Sequence, residues 1–88
     1  MNTFFLSHTA GPFEAPTNYK VDLNHFSRTA TVEAVTRTVD SINRTVVTVP
    51  FSTLQRSLSV VAPVLHIGAT PVQVPEEIFT YIAKLPRD

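Results

Sequence analysis

The chain has no cysteine and no tryptophan, only two glycines, and few charges, with 16% of its 88 residues being Asp, Glu, Lys or Arg. Without cysteine there are no disulfides, thiolate metal sites, thiol nucleophiles or thioether-held cofactors. Two glycines cannot build a phosphate-cradling loop of the GxGxxG or GxxxxGK type, which sets nucleotide binding by those routes aside. Seven basic residues balance seven acidic ones, so no net field draws the protein to phosphate backbones or anionic lipid, and no nucleic-acid partner is expected. No apolar run approaches the roughly 20 residues that span a bilayer. Met1 to Leu6 lacks the basic start and long apolar core of a signal peptide. No membrane insertion is expected, and the default location is cytoplasmic.

What is present reads as one small globular domain. The apolar fraction of 43% with low charge is far from the composition of disordered chains. One modest core is the limit at this length, since small folds bury only roughly 60% of their unfolded surface. Gly11, Pro12 and Pro16 interrupt regular structure, so 1–18 reads as an N-terminal arm and 19–88 as a single α+β domain. Within the arm, Thr3-Phe4-Phe5-Leu6 is apolar enough to pack, either as an edge strand of its own domain or as an anchor on a partner.

Tyr19-Lys20-Val21-Asp22-Leu23 alternates apolar and polar, the pattern of a half-buried first core strand. From 29 to 43, Val32, Val35, Val39 and Ile42 are spaced 3, 4 and 3 apart, which predicts a first helix, although β-branched residues are mediocre helix formers and a strand is the alternative. Arg44-Thr45-Val46-Val47-Thr48-Val49 carries apolar groups on both faces and is expected to lie centrally in the sheet. Pro50 ends it, and Ser52-Thr53-Leu54-Gln55 has the form of a capping box. Leu54, Leu58, Val61 and Leu65 share one face of a second helix running from about residue 53 to Pro63. Gly68 marks a turn, Thr70 to Val74 a third strand, and Pro75-Glu76-Glu77 the start of a terminal helix with Ile78, Phe79, Ile82 and Leu85 on its apolar face. The expected architecture is therefore a small β-α-β-α-β domain, with a three-stranded sheet packed on helices, plus the arm and a C-terminal helix.

Catalytic chemistry is hard to find. His8, His25 and His66 sit in separate loop-like regions without HxH or HExxH spacing, which favours surface histidines over metal ligands or a general base. Asp22 and Asp40, or Glu76 and Glu77, would pair as acid and base only if the fold brought them together, and Glu76 and Glu77 are better explained as helix N-terminal charges. Arg28, Arg37, Arg44 and Arg56 are scattered, as on a solvated face, with an interface role as the alternative. Phe26 and Phe51 flank element ends, where packing over the core's edge competes with anchoring a partner. No enzyme activity, metal or cofactor is expected.

Tyr19-Lys20-Val21, then Thr45-Val46-Val47-Thr48-Val49-Pro50-Phe51-Ser52, then Val72-Gln73-Val74 give an order of strand, helix, strand, Val-Pro-aromatic junction, helix and strand. Over about residues 19 to 75 this resembles, as a divergent relative, the CpcD-type linker domain of phycobilisomes, found in small core and rod-capping linkers. The resemblance implies a non-enzymatic linker that sits within or caps a phycobiliprotein trimer or hexamer, organises a photosynthetic antenna at the cytoplasmic face of thylakoid membranes, and carries no bilin of its own. It points to Tyr19, Val49, Pro50, Phe51 and Arg56 near the contact surface, with Phe4 and Phe5 as arm anchors. The alternative expectation is a general protein-interaction or self-associating regulatory domain with a ferredoxin-like layout.

Overall fold

In the computed structural model, which describes residues 2–86, four consecutive strands form one antiparallel meander. They are β1 (Thr3–His8), β2 (Thr17–Asn24), β3 (Thr29–Arg37) and β4 (Ile42–Pro50), neighbours in space as in sequence. The rest of the chain covers one face of this sheet with α1 (Phe51–Arg56), a hairpin of β5 (Val64–Ile67) and β6 (Thr70–Gln73), and α2 (Glu76–Ala83). The fold is thus mostly β, and the three-stranded β-α-β-α-β layout expected from the sequence is corrected. Of the two roles open to Thr3-Phe4-Phe5-Leu6, the structure shows the edge strand, paired with β2 along its whole length. Among the described residues, no helix is long and apolar enough to cross a membrane.

The largest correction falls on 29–43. Where a 3-4-3 spacing of valine and isoleucine predicted a helix, the chain forms β3, a turn, and the start of β4. The inward side chains of β3 are Ala30, Val32 and Ala34, which face β2 at Leu23, Val21 and Tyr19 and β4 at Val49, Val47 and Thr45. Ala30 is fully buried, whereas Val35 points to the opposite face and Val39 stands fully exposed at the hairpin tip. Two alanines and a valine make a period-of-two stripe too small to stand out beside the larger residues. The β-branched run of Thr29, Thr31, Val32, Val35 and Thr36 then suits a pleated surface better than a helix. The turn is held locally: Thr38 N–H donates to the Ser41 carbonyl, and Ser41 N–H donates to Thr38 Oγ1. Threonines also pair across strands, Thr17 with Thr36 at 2.7 Å and Thr31 with Thr48 at 3.1 Å.

The second helix is shorter than its apolar spacing suggests. It ends at Arg56, with the Ser57 hydroxyl donating to the Thr53 carbonyl at 2.9 Å. Beyond it the chain runs alongside β5: Leu58 bridges Leu65, His66 N–H donates to the Ser57 carbonyl, and Ser59 N–H donates to the Val64 carbonyl. Serine and β-branched valine at 57–61 are poor helix material, and pairing with β5 satisfies their backbone instead. Leu54 and Leu65 are still buried, but Val61 is exposed. The capping box does not form either. Pro50 is the N-cap without a side-chain bond, and Gln55 Nε2 reaches the end of α2, donating to the carbonyl of Ile82 at 3.2 Å and, beyond the helix, to that of Leu85 at 2.6 Å. It thereby ties α1 to the chain at and just beyond the end of α2.

Other expectations hold. Tyr19, Val21 and Leu23 all point into the core, Pro50 ends its strand, and α2 begins after Pro75 and buries Ile78 and Ile82. Thr70–Gln73 is a strand, but it pairs with β5 in a separate two-stranded sheet and is not the third strand of the main one. Gly68, at φ 62°, is the first of two loop residues joining β5 to β6, a position where a two-residue hairpin loop favours glycine. One cluster joins the inner faces of β1, β2 and β3 to Phe51, Leu54, Leu65, Val72, Ile78 and Ile82, and no polar or charged side chain is buried among the described residues.

Gln55→Ala should lower the unfolding free energy by about 1–2 kcal/mol in urea titration, because it strips donors from partly buried carbonyls. Ser52→Ala should change it by less than about 0.5 kcal/mol. A capping box would give the opposite order.

Candidate functional site

β4 is the longest-exposed element of the sheet. It closes the meander as an edge strand, not the central strand expected, and all but Val49 of its nine residues are exposed. Val46 is 55% exposed, Val47 50% and Ile42 63%. An edge of this length normally carries lysine, an inward charge or a bulge to discourage pairing. Here Arg44 is the one charge, and it lies 3.8 Å from Glu33 of β3. The opposite edge, β1, packs against β6.

Hydrogen bonding at the two ends of the β3–β4 ladder determines which backbone groups remain open. Thr38 N–H donates to the Ser41 carbonyl at one end, and Phe51 N–H to the Arg28 carbonyl at the other, both in register with the strand pairing. Bonded pairs in an antiparallel ladder recur every second residue. Asn43, Thr45, Val47 and Val49 therefore direct N–H and C=O toward β3, while Ile42, Arg44, Val46 and Thr48 direct theirs to the open edge. Pro50 has the outward parity, so its missing N–H leaves no gap in the β3–β4 ladder.

Beneath this edge the covering layer stops short. The inner faces of Val32, Ala34, Thr45, Val47 and Val49 form the floor of a groove of about 270 Å³, walled by Thr53 and Leu54 of α1, by Ser57 just after it, and by His66, Ile67 and Gly68 at the β5–β6 turn. Its lining is mainly apolar. The volume is at the small end for cofactor or drug-sized ligands, which occupy roughly 300–1,000 Å³. It suits one or two inward side chains of a strand laid along β4.

The residues singled out from sequence separate into distinct environments. Phe4, Tyr19 and Phe51 are buried in the core, where Phe51 also meets the His25 ring edge-on at 5.5 Å. Phe5 is exposed on the outer face of β1, at the far edge from β4. Val49 lies on the groove floor, Pro50 is exposed at the end of β4, and exposed Arg56 donates to Thr53 Oγ1 beside the groove wall at 3.4 Å. The structure therefore brings Val49, Pro50 and Arg56 near one another and separates them from Phe5. Sequence reasoning missed Ile42, Thr45, Val46 and Val47 as surface residues. Their signal was apolar character on both faces of one strand, which fits a central strand and an uncovered edge equally well. His8, His25 and His66 do not converge, and among the described residues no cluster of three His, Asp or Glu side chains is placed to hold a metal.

In dilute solution, amide exchange should alternate along β4, slow at Thr45 and Val47 and fast at Arg44, Val46 and Thr48. Inverted alternation would contradict the register. Comparison with known protein families, with curated proteins and with solved structures finds no match to this chain, so its function is argued from this geometry.

Proposed function

We propose that the chain is a non-enzymatic assembly module that takes an extended protein segment as an added strand on β4. The observation that carries this is the coincidence of an unguarded row of outward N–H and C=O groups with an apolar groove directly under the same strand. Main-chain hydrogen bonds supply affinity in such strand addition, and pockets for alternate side chains supply selectivity. Covering the exposed half of Val46 or Val47 contributes roughly 1 kcal/mol apiece at about 25 cal/mol per Å². Each added backbone bond contributes roughly 1 kcal/mol more.

The assembly role agrees with the expectation from sequence. The phycobiliprotein partner implied by the linker resemblance rested on a helix between the first strand and the Val-Pro junction, and β3 occupies that stretch. The proposal therefore takes its support from β4 and the groove alone.

A labelled nine-residue peptide of alternating threonine and valine, flanked by lysines for solubility, should shift the amide resonances of Ile42, Arg44, Val46 and Thr48 and slow their exchange. Val46→Pro, which removes an outward donor and none directed to β3, should abolish the effect, whereas Phe5→Ala should leave it intact. Shifts confined to β1, or none anywhere, would refute strand addition at β4.

A further inference from the structure

We infer that the strand added to β4 is β4 of a second copy, the two running antiparallel across a two-fold axis that passes midway between the two Val46 residues. This rests on the docking role proposed above and names its occupant. A two-fold axis perpendicular to the sheet maps inner face onto inner face and outward backbone groups onto outward backbone groups. Only residues of the outward parity can then form the bonded pairs. Centring on Val46 engages the whole of Ile42–Pro50: Val46 opposes the partner's Val46, Arg44 the partner's Thr48, and Ile42 the partner's Pro50. Each end pair lacks one hydrogen bond, because Pro50 has no N–H to give.

Side chains and charges match in this register. On the outer face, two β-branched Val46 side chains meet at the axis, a favourable cross-strand pair. On the inner face, Thr45 of each copy opposes the partner's Val47, so half-exposed Val47 and the mouth of the groove are covered together. Arg44, the only charge on the strand, faces a threonine and already has Glu33 beside it. A register centred on Arg44 instead would oppose two guanidinium groups. The chain's formal net charge of zero adds no long-range repulsion between copies. The joined sheet would have eight strands, twice the four of one copy, with each unguarded β4 edge placed in its interior.

The contact is narrow. A nine-residue strand is about 30 Å long. Pairing along one edge falls short of the roughly 800 Å² per partner of standard stable interfaces, so a weak, concentration-dependent dimer is expected.

Sedimentation equilibrium of the full chain across micromolar to millimolar concentration should report conversion from 9.7 kDa to twice that mass. Because residue 46 faces itself, Val46→Lys and Val46→Glu should each raise the dissociation constant at least roughly tenfold, and an equimolar mixture of the two should restore the dimer. In the unaltered chain, the amides of Arg44, Val46 and Thr48 should gain exchange protection in step with dimer formation, a readout independent of how the variants fold. A dimer formed without protection of these amides, or without rescue in the mixture of two folded variants, would overturn the inference. A chain that stays monomeric at millimolar concentration while the threonine-valine peptide still protects these amides overturns the second copy and leaves strand docking standing. Protection by neither overturns both.

Discussion

The hydrogen bond from Phe51 N–H to the Arg28 carbonyl, 2.9 Å long, closes the β3–β4 ladder where the strand passes into α1. Arg28 makes it at φ 57°, a left-handed conformation that costs an ordinary L-residue about 1 kcal/mol. The preceding loop is shaped by Asn24, whose Oδ1 accepts from the backbone N–H groups of Phe26 and Ser27. His25 of the same loop lies edge-on to the fully buried Phe51 ring and within 3.3 Å of the Tyr81 hydroxyl on α2. One bond therefore fixes the phase of the ladder, the entry of Phe51 into the core, and the position of the loop over both helices. With the phase fixed, the residues of β4 that can bond to another chain are fixed too.

That constraint gives the molecule two unlike sides. Phe4, Leu6, Tyr19, Val21, Leu23, Ala30 and Val32 are sealed under α1, the β5–β6 hairpin and α2, with Gln55 joining α1 to the end of α2 through the carbonyls of Ile82 and Leu85. The covering layer leaves Val32 and Ala34 of β3 and the inner face of β4 as the floor of an apolar groove, and the outward backbone groups of β4 without a ladder. A β-sheet edge of this kind is a liability for a monomer and an asset for a protein whose work is association. Among the described residues, no group of three His, Asp or Glu side chains is placed to hold a metal.

Much of this was legible in the sequence where the signal is local. The alternation of Tyr19, Val21 and Leu23 marks β2, Pro75-Glu76-Glu77 opens α2, and the Val49-Pro50-Phe51 junction marks the change from strand to helix. The failures have physical causes. Ala30 and Ala34 are too small to advertise the inner face of β3, and Val32, Val35, Val39 and Ile42 happen to share a helical spacing although only Val32 is in the core. Gln55 has the local form of a capping residue, yet its strongest acceptor lies 30 residues further on. Whether Val46 and Val47 lie within a sheet or at its rim depends on neighbours that no local pattern contains. The site is half legible for the same reason: Val49 and Pro50 mark a strand end and, by the family resemblance, a contact surface, whereas no local pattern marks the open edge of β4.

Everything proposed for β4 depends on the β3–β4 pairing that exposes alternate backbone groups of that strand. Glu33 and Val46 oppose each other as a non-bonded pair in that register, which brings their α-carbons to about 4.5 Å. A nuclear Overhauser spectrum of the dilute, labelled chain tests this directly. The account predicts a strong α-proton to α-proton contact between Glu33 and Val46. A contact from the Val32 α-proton to the Val35 amide, the signature of a helix over the same residues, would contradict it.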